Sequence, residues 1–126
     1  MTPAQQLENR VRNIIAISRD LTTAAGSVGY TGLGFKPSLL VISYGIQAGA
    51  VSLGTALWID GNPSKGGFVE TSGGLAYPTD QIFVESSSGN YQSGALTSFD
   101  ADGFTINWTK AGSPSGTLLA YVLGLA

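Results

Sequence analysis

"GFTINWT", Gly103 to Thr109, alternates without a slip: Phe104, Ile106 and Trp108 fall on one side, Thr105, Asn107 and Thr109 on the other. Successive side chains of a β-strand point to opposite faces, so a period of two marks a strand with one face buried. The stretch ahead of it, Asp100-Ala101-Asp102-Gly103, is a tight hairpin turn. Its aspartates bond and solvate the backbone, and Gly103 supplies the backbone angle that a side chain would resist. Phe104, Ile106 and Trp108 are therefore expected in the core of a β domain, with Tyr121 of the last strand beside them.

The same punctuation extends outward from this strand. Val28–Thr31 is a short strand, and Gly32–Pro37 a turn. Ser38–Gln47 carries Leu40, Ile42, Tyr44 and Ile46 on one face. Val51–Asp60 aligns Val51, Leu53, Leu57 and Ile59, and Asp60-Gly61-Asn62-Pro63 closes it. Weaker strands follow at Gly66–Thr71 and Gln81–Ser87, then a polar loop over Ser86–Gly94 and a short strand at Ala95–Phe99. Thr117–Leu125, "TLLAYVLGL", is apolar on both faces. In an antiparallel sheet this implies a central position, or an outer face covered by a neighbouring subunit. About eight short strands separated by turns predict a mainly β fold, an antiparallel, jelly-roll-like β-sandwich over residues 26–126.

Residues 1–25 read differently. Thr2-Pro3-Ala4-Gln5 has the form of a helix N-terminal capping box. Leu7, Val11, Ile14, Ser18 and Leu21 then recur at the 4-3 spacing of a heptad seam, Ile15 and Ile17 widen it, and Gly26 is a helix stop. An amphipathic N-terminal α-helix is predicted, and its face of Leu7, Val11, Ile14, Ile15 and Leu21 either packs on its own domain or serves as the anchoring or oligomerisation face.

Composition narrows the function. The 126 residues include no His and no Cys, which excludes Ser-His-Asp and Cys-His catalysis, disulfides and thiolate metal sites. The acids are not spaced as a catalytic pair, and "DADG" lacks the later oxygen ligands of a calcium loop. No enzyme activity, cofactor or metal is expected. Residues 21–126 hold three lysines (Lys36, Lys65, Lys110) against six acids, so the footprint of a nucleic-acid binder is missing. Pro37–Ile59 is uncharged but alternates and contains Gly45, Gly49 and Gly54, which reads as two strands rather than a membrane helix. Charged residues are only 11%, against about 25% in an average chain. So few charges leave much surface to be covered by self-association. Trp58, Tyr77 and Tyr91, on or near loops, are the residues a glycan platform would use.

"YTGLGFKPSLLVISYG" followed by "SFDADGFTINWTKAG" and "GTLLAYVLGLA" resembles a group of small virion structural proteins of tailed bacteriophages. The similarity covers residues 28–46 and 98–125, in a pattern of structural rather than catalytic residues. It implies a β-sandwich module of a capsid decoration protein or head fibre, homotrimeric and bound to other virion proteins such as the major capsid protein. The alternative is a receptor- or glycan-binding module of a tail fibre or tail tip. Either places the chain on the virion, with no nucleic acid or membrane partner.

Overall fold

A computed structural model describes residues 2–3, 12–47, 52–59, 67–71, 74–76 and 81–126. The described residues form ten strands: β1 (Arg12–Asp20), β2 (Gly26–Thr31), β3 (Leu39–Gln47), β4 (Leu53–Ile59), β5 (Gly67–Thr71), β6 (Gly74–Ala76), β7 (Gln81–Ser87), β8 (Asn90–Asp100), β9 (Gly103–Ala111) and β10 (Thr117–Leu125). Six form one antiparallel sheet in the order β1-β10-β3-β4-β5-β6, and four form a second in the order β2-β9-β8-β7. The first strand thus pairs with the last, and the second with the last but one. The two sheets bury a single core between them, so the architecture is a β-sandwich.

The predicted period of two is what builds that core. From the six-stranded sheet come Ile17, Leu40, Ile42, Tyr44, Ala56, Trp58, Leu118, Ala120 and Val122; from the other come Ile82, Val84, Phe104, Ile106 and Trp108. Tyr44 ties the layers together by accepting the Phe83 N–H on its hydroxyl at 3.2 Å. Ser52 does the same near β7: its hydroxyl accepts Glu85 N–H at 2.9 Å and donates to Glu85 carbonyl at 3.1 Å.

The N-terminal helix is not what the described residues form. Arg12–Asp20 is a strand, paired residue for residue with β10 from Arg12↔Leu125 to Asp20↔Thr117. Two forces outweigh the heptad spacing. Three of the four residues Ile14–Ile17 are β-branched, which costs helix and favours strand. β10 also offers a full ladder of hydrogen bonds, whereas a short lone helix is marginal in water. In a strand the inward set is Ile15, Ile17 and Arg19, so the heptad seam splits: Ile14 and Ser18 face out, and Leu21 is buried just past the strand's end. Leu7 and Val11 lie outside the described residues. Gly26 opens β2 instead of ending a helix.

Three smaller expectations change. The polar loop over Ser86–Gly94 shrinks to a turn at Ser88-Gly89, because β8 begins at Asn90. β4 buries Ala56 and Trp58, and turns Leu53 and Leu57 outward. Gly103 is not in the left-handed region. It is needed because β2 crosses so closely that a Cβ there would collide with the Tyr30 carbonyl.

Candidate functional site

Four strands of the six-stranded sheet turn an uncharged, largely apolar face outward. Its inward residues are even-numbered on β3, β4 and β10 and odd-numbered on β1, so the outward sets follow from register. One row across β1, β10, β3 and β4 reads Ile14, Leu123, Val41, Leu57. The next reads Ala16, Tyr121, Ser43, Thr55, and a third reads Ser18, Leu119, Gly45, Leu53. No residue in the three rows is charged. Ile14 is 60% exposed, Leu53 59% and Tyr121 67%, and Val41, Leu57 and Leu119 are exposed as well. Four strands about 4.8 Å apart and three rows about 7 Å apart span roughly 20 Å each way. Soluble monomers rarely leave a contiguous apolar patch larger than a few hundred Å² in water. At the β1 end an open hollow of about 480 Å³ adjoins the face, lined by Arg12, Asn13, Ile14 and Leu123.

Of the helix-face residues, only Ile14 therefore belongs to an exposed surface. Ile15 packs against the core and Leu21 is enclosed. Trp58 is no ligand-facing aromatic: it is 0% exposed between the sheets. Its Nε1–H has no acceptor among the described residues, a cost of about 1–3 kcal/mol for a buried donor left unpaired. Tyr91 is half-buried with its ring against Phe83, 4.8 Å between centroids. Tyr77 lies outside the described residues. Phe104, Ile106 and Trp108 are in the core as predicted, but Tyr121 is not. It occupies an odd position on β10, and the even set, Leu118, Ala120 and Val122, takes the inside.

The acidic turn serves the fold. Asp102 Oδ1 accepts Gly34 N–H at 2.6 Å and Oδ2 accepts Gly32 N–H at 3.2 Å. Its carbonyl accepts the N–H groups of Gly32 and Leu33, both at 3.1 Å. This side chain clamps the Gly32–Pro37 turn onto the β8–β9 hairpin, joining two stretches that the sequence reading had matched separately. Asp100 accepts the hydroxyls of Thr105 at 2.6 Å and Ser98 at 2.7 Å, and those bonds, Thr105's first, hold its pKa below the ordinary value. Both carboxylates are occupied by local donors. Among the described residues no group of three acids is placed to hold a metal ion.

A buried polar network was not legible beforehand. Arg19, only 7% exposed, donates from Nε to Gln92 Oε1 at 2.7 Å and from its second nitrogen to the Ala24 carbonyl at 2.9 Å. Its guanidinium lies 4.7 Å from the centre of the Trp108 ring. Gln92 Nε2 donates to the carbonyls of Leu21 and Thr23, and Trp108 Nε1 to the Tyr30 hydroxyl at 3.0 Å. Burial lowers the Arg19 pKa and raises that of Tyr30, because each charged form loses water. Every group shown here has a protein partner, so the network locks β1 and the turn after it onto the four-stranded sheet.

Compared with protein-family models, curated protein sequences and solved structures, the chain matches none.

Proposed function

We propose that this protein is a non-enzymatic structural subunit that finishes its folding by assembly, covering the outer face of its six-stranded sheet with other subunits. The observation that carries this is the uncharged apolar face of Ile14, Leu53, Leu57, Leu119 and Tyr121. Burying apolar area is worth about 25 cal/mol per Å², so a patch of this size is a standing drive to associate. The assembly in view is a tailed-bacteriophage virion, as a capsid decoration or head-fibre subunit seated on major capsid protein. That step rests on the residue pattern of 28–46 and 98–125. The strand order supports the β-sandwich and not the jelly-roll winding, because β3-β4-β5-β6 and β7-β8-β9 run as simple meanders.

Among the described residues nothing favours the glycan-binding alternative: Trp58 is enclosed and Tyr91 leans on Phe83.

Light scattering of the full chain over a range of concentrations tests the reading. Mass should rise with concentration, and Leu119→Asp or Tyr121→Asp should suppress the rise while the fold survives. Equal masses for wild type and both variants, up to about 1 mM, would remove the face from any role in assembly. Immunogold labelling of particles from a culture carrying the coding sequence tests the virion: label on particles supports it, and label only in the soluble fraction overturns it.

A further inference from the structure

A nine-residue strand, β1, forms one edge of the six-stranded sheet. A sheet edge offers unpaired N–H and C=O groups, and proteins usually blunt it. Among the described residues the other three sheet edges are blunted. β6 has three residues, β7 carries Glu85 and a bulge between Glu85 and Ser87, and β2 has six residues, two of them glycine. β1 has neither proline nor glycine nor a break in register, and no charge from Asn13 to Ser18.

The direction of its free groups can be read from the bonds around it. Leu21 N–H donates to Gly116 carbonyl at 2.9 Å, continuing the β1–β10 ladder, so odd-numbered residues turn their backbone groups toward β10. Even-numbered residues turn theirs outward. Ile14 N–H is accordingly met only by the Asn13 side chain, Oδ1 at 2.9 Å, and Asp20 carbonyl by Thr23 N–H at 3.1 Å. Among the described residues nothing pairs the backbone of Ala16 or Ser18 along this edge.

We propose that β1 is a self-complementary edge, and that a second copy of this chain adds its own β1 antiparallel to it, with Ala16 opposite Ala16 on a two-fold axis. In that register Arg12 faces Asp20 of the second copy and Ile14 faces Ser18, and the same pairs recur by symmetry. Three independent features agree on it. Even residues oppose even residues, as the outward backbone groups require for mutual hydrogen bonding. All nine residues of each strand face a residue of the other, and Ile14 N–H exchanges its own Asn13 oxygen for the Ser18 carbonyl of the second copy. Arg12 and Asp20, both exposed and both on the outer face, bring opposite charges together at each end. Asp20 has an oxygen to spare, because Thr22 N–H and Thr22 hydroxyl both use Oδ1, at 2.9 and 2.7 Å. The junction makes one continuous sheet of the two six-stranded sheets, with their apolar outer faces side by side. Its two-fold symmetry means that any three-fold association would use a different surface, and it does not depend on the outer face being an assembly surface.

Charge reversal in the full chain tests the pairing. Arg12→Asp places two like-charged pairs across the junction, as does Asp20→Arg, and each variant alone should dimerise about tenfold more weakly or worse. Mixed together they restore both attractions, so a heterodimer should form at wild-type affinity. Ala16→Pro should abolish the dimer without unfolding the chain, since that N–H serves no bond within the molecule. The chain has no cysteine, so Ala16→Cys introduces a lone thiol whose Cα lies about 5.5 Å from that of its symmetry mate, within disulfide reach. It should oxidise to a covalent dimer, whereas Ser18→Cys, more than about 10 Å from its mate in this register, should not. A wild-type chain that stays monomeric overturns the proposal. So does a dimer that ignores Arg12→Asp and Ala16→Pro but falls apart with Leu119→Asp, which would place association on the outer face. Crosslinking of Ser18→Cys as fast as Ala16→Cys overturns the register.

Discussion

On β10, Leu118, Ala120 and Val122 are sealed between two sheets, while Leu119 and Tyr121, one residue away, stand in water. The two sets differ little in chemistry. What separates them is the second layer: the four-stranded sheet covers one face of β10, and among the described residues nothing covers the other. An apolar side chain on such a strand thus either stabilises this domain or stays in water, and only its parity tells which.

The largest effect should come from breaking that distinction at neighbouring leucines. Leu118→Ala leaves a cavity in the core and should cost about 2–5 kcal/mol in chemical denaturation, whereas Leu119→Ala should change the stability of the isolated chain by about 0.5 kcal/mol or less. Similar losses at both positions would mean that the outer face is already buried in solution.

Glycines on opposite faces should behave with opposite sign. A Cβ on Gly94 would lie 2.7 Å from the Trp108 ring and 2.8 Å from Ile106, so Gly94→Ala should cost about 1–3 kcal/mol by overpacking. A Cβ on the outward Gly45 would meet Leu53 at 3.4 Å, ordinary contact, and Gly45→Ala should be neutral or stabilising by about 0.5 kcal/mol. Melting temperatures of the two variants settle the pair.

Two buried indoles sharpen the inner side. Trp108 donates to Tyr30 and stacks under Arg19, while Trp58 has an unanswered donor. Trp58→Phe removes volume but also that burden, so it should be milder than Trp108→Phe by about 1 kcal/mol or more. The reverse order would show that the Tyr30 hydroxyl contributes little.

The smallest effect belongs to acid. Asp100 and Asp20 both sit below their ordinary value of 3.8, Asp100 chiefly through Thr105 and Asp20 chiefly through the Thr22 N–H. A carboxylate depressed in the folded state adds stability above its unfolded pKa and loses it as pH falls through the folded value. Melting temperature should therefore drop on acidification below about pH 4, and Asp100→Asn should flatten part of that drop. An unchanged acid limb would mean that the Thr105 and Ser98 hydroxyls do not favour the ionised form.

Period two decided most of what could be read directly. Phe104, Ile106, Trp108, Leu40, Ile42 and Tyr44 lie in the core because a strand cannot bury two adjacent residues on one face. The low charge also announced the uncharged outer face, since composition shows it without any knowledge of the fold. Tertiary structure decided the rest. Ile14–Ile17 fits a heptad and a strand alike, and β10, about a hundred residues downstream, chose the strand by supplying the ladder. Tyr121 and Leu118 are equally apolar in the sequence, and only the placement of the second sheet made one of them core. The edge at β1, with Arg12 and Asp20 at its ends, exists only because β1 lies outermost in its sheet, and strand order is a property of the folded chain.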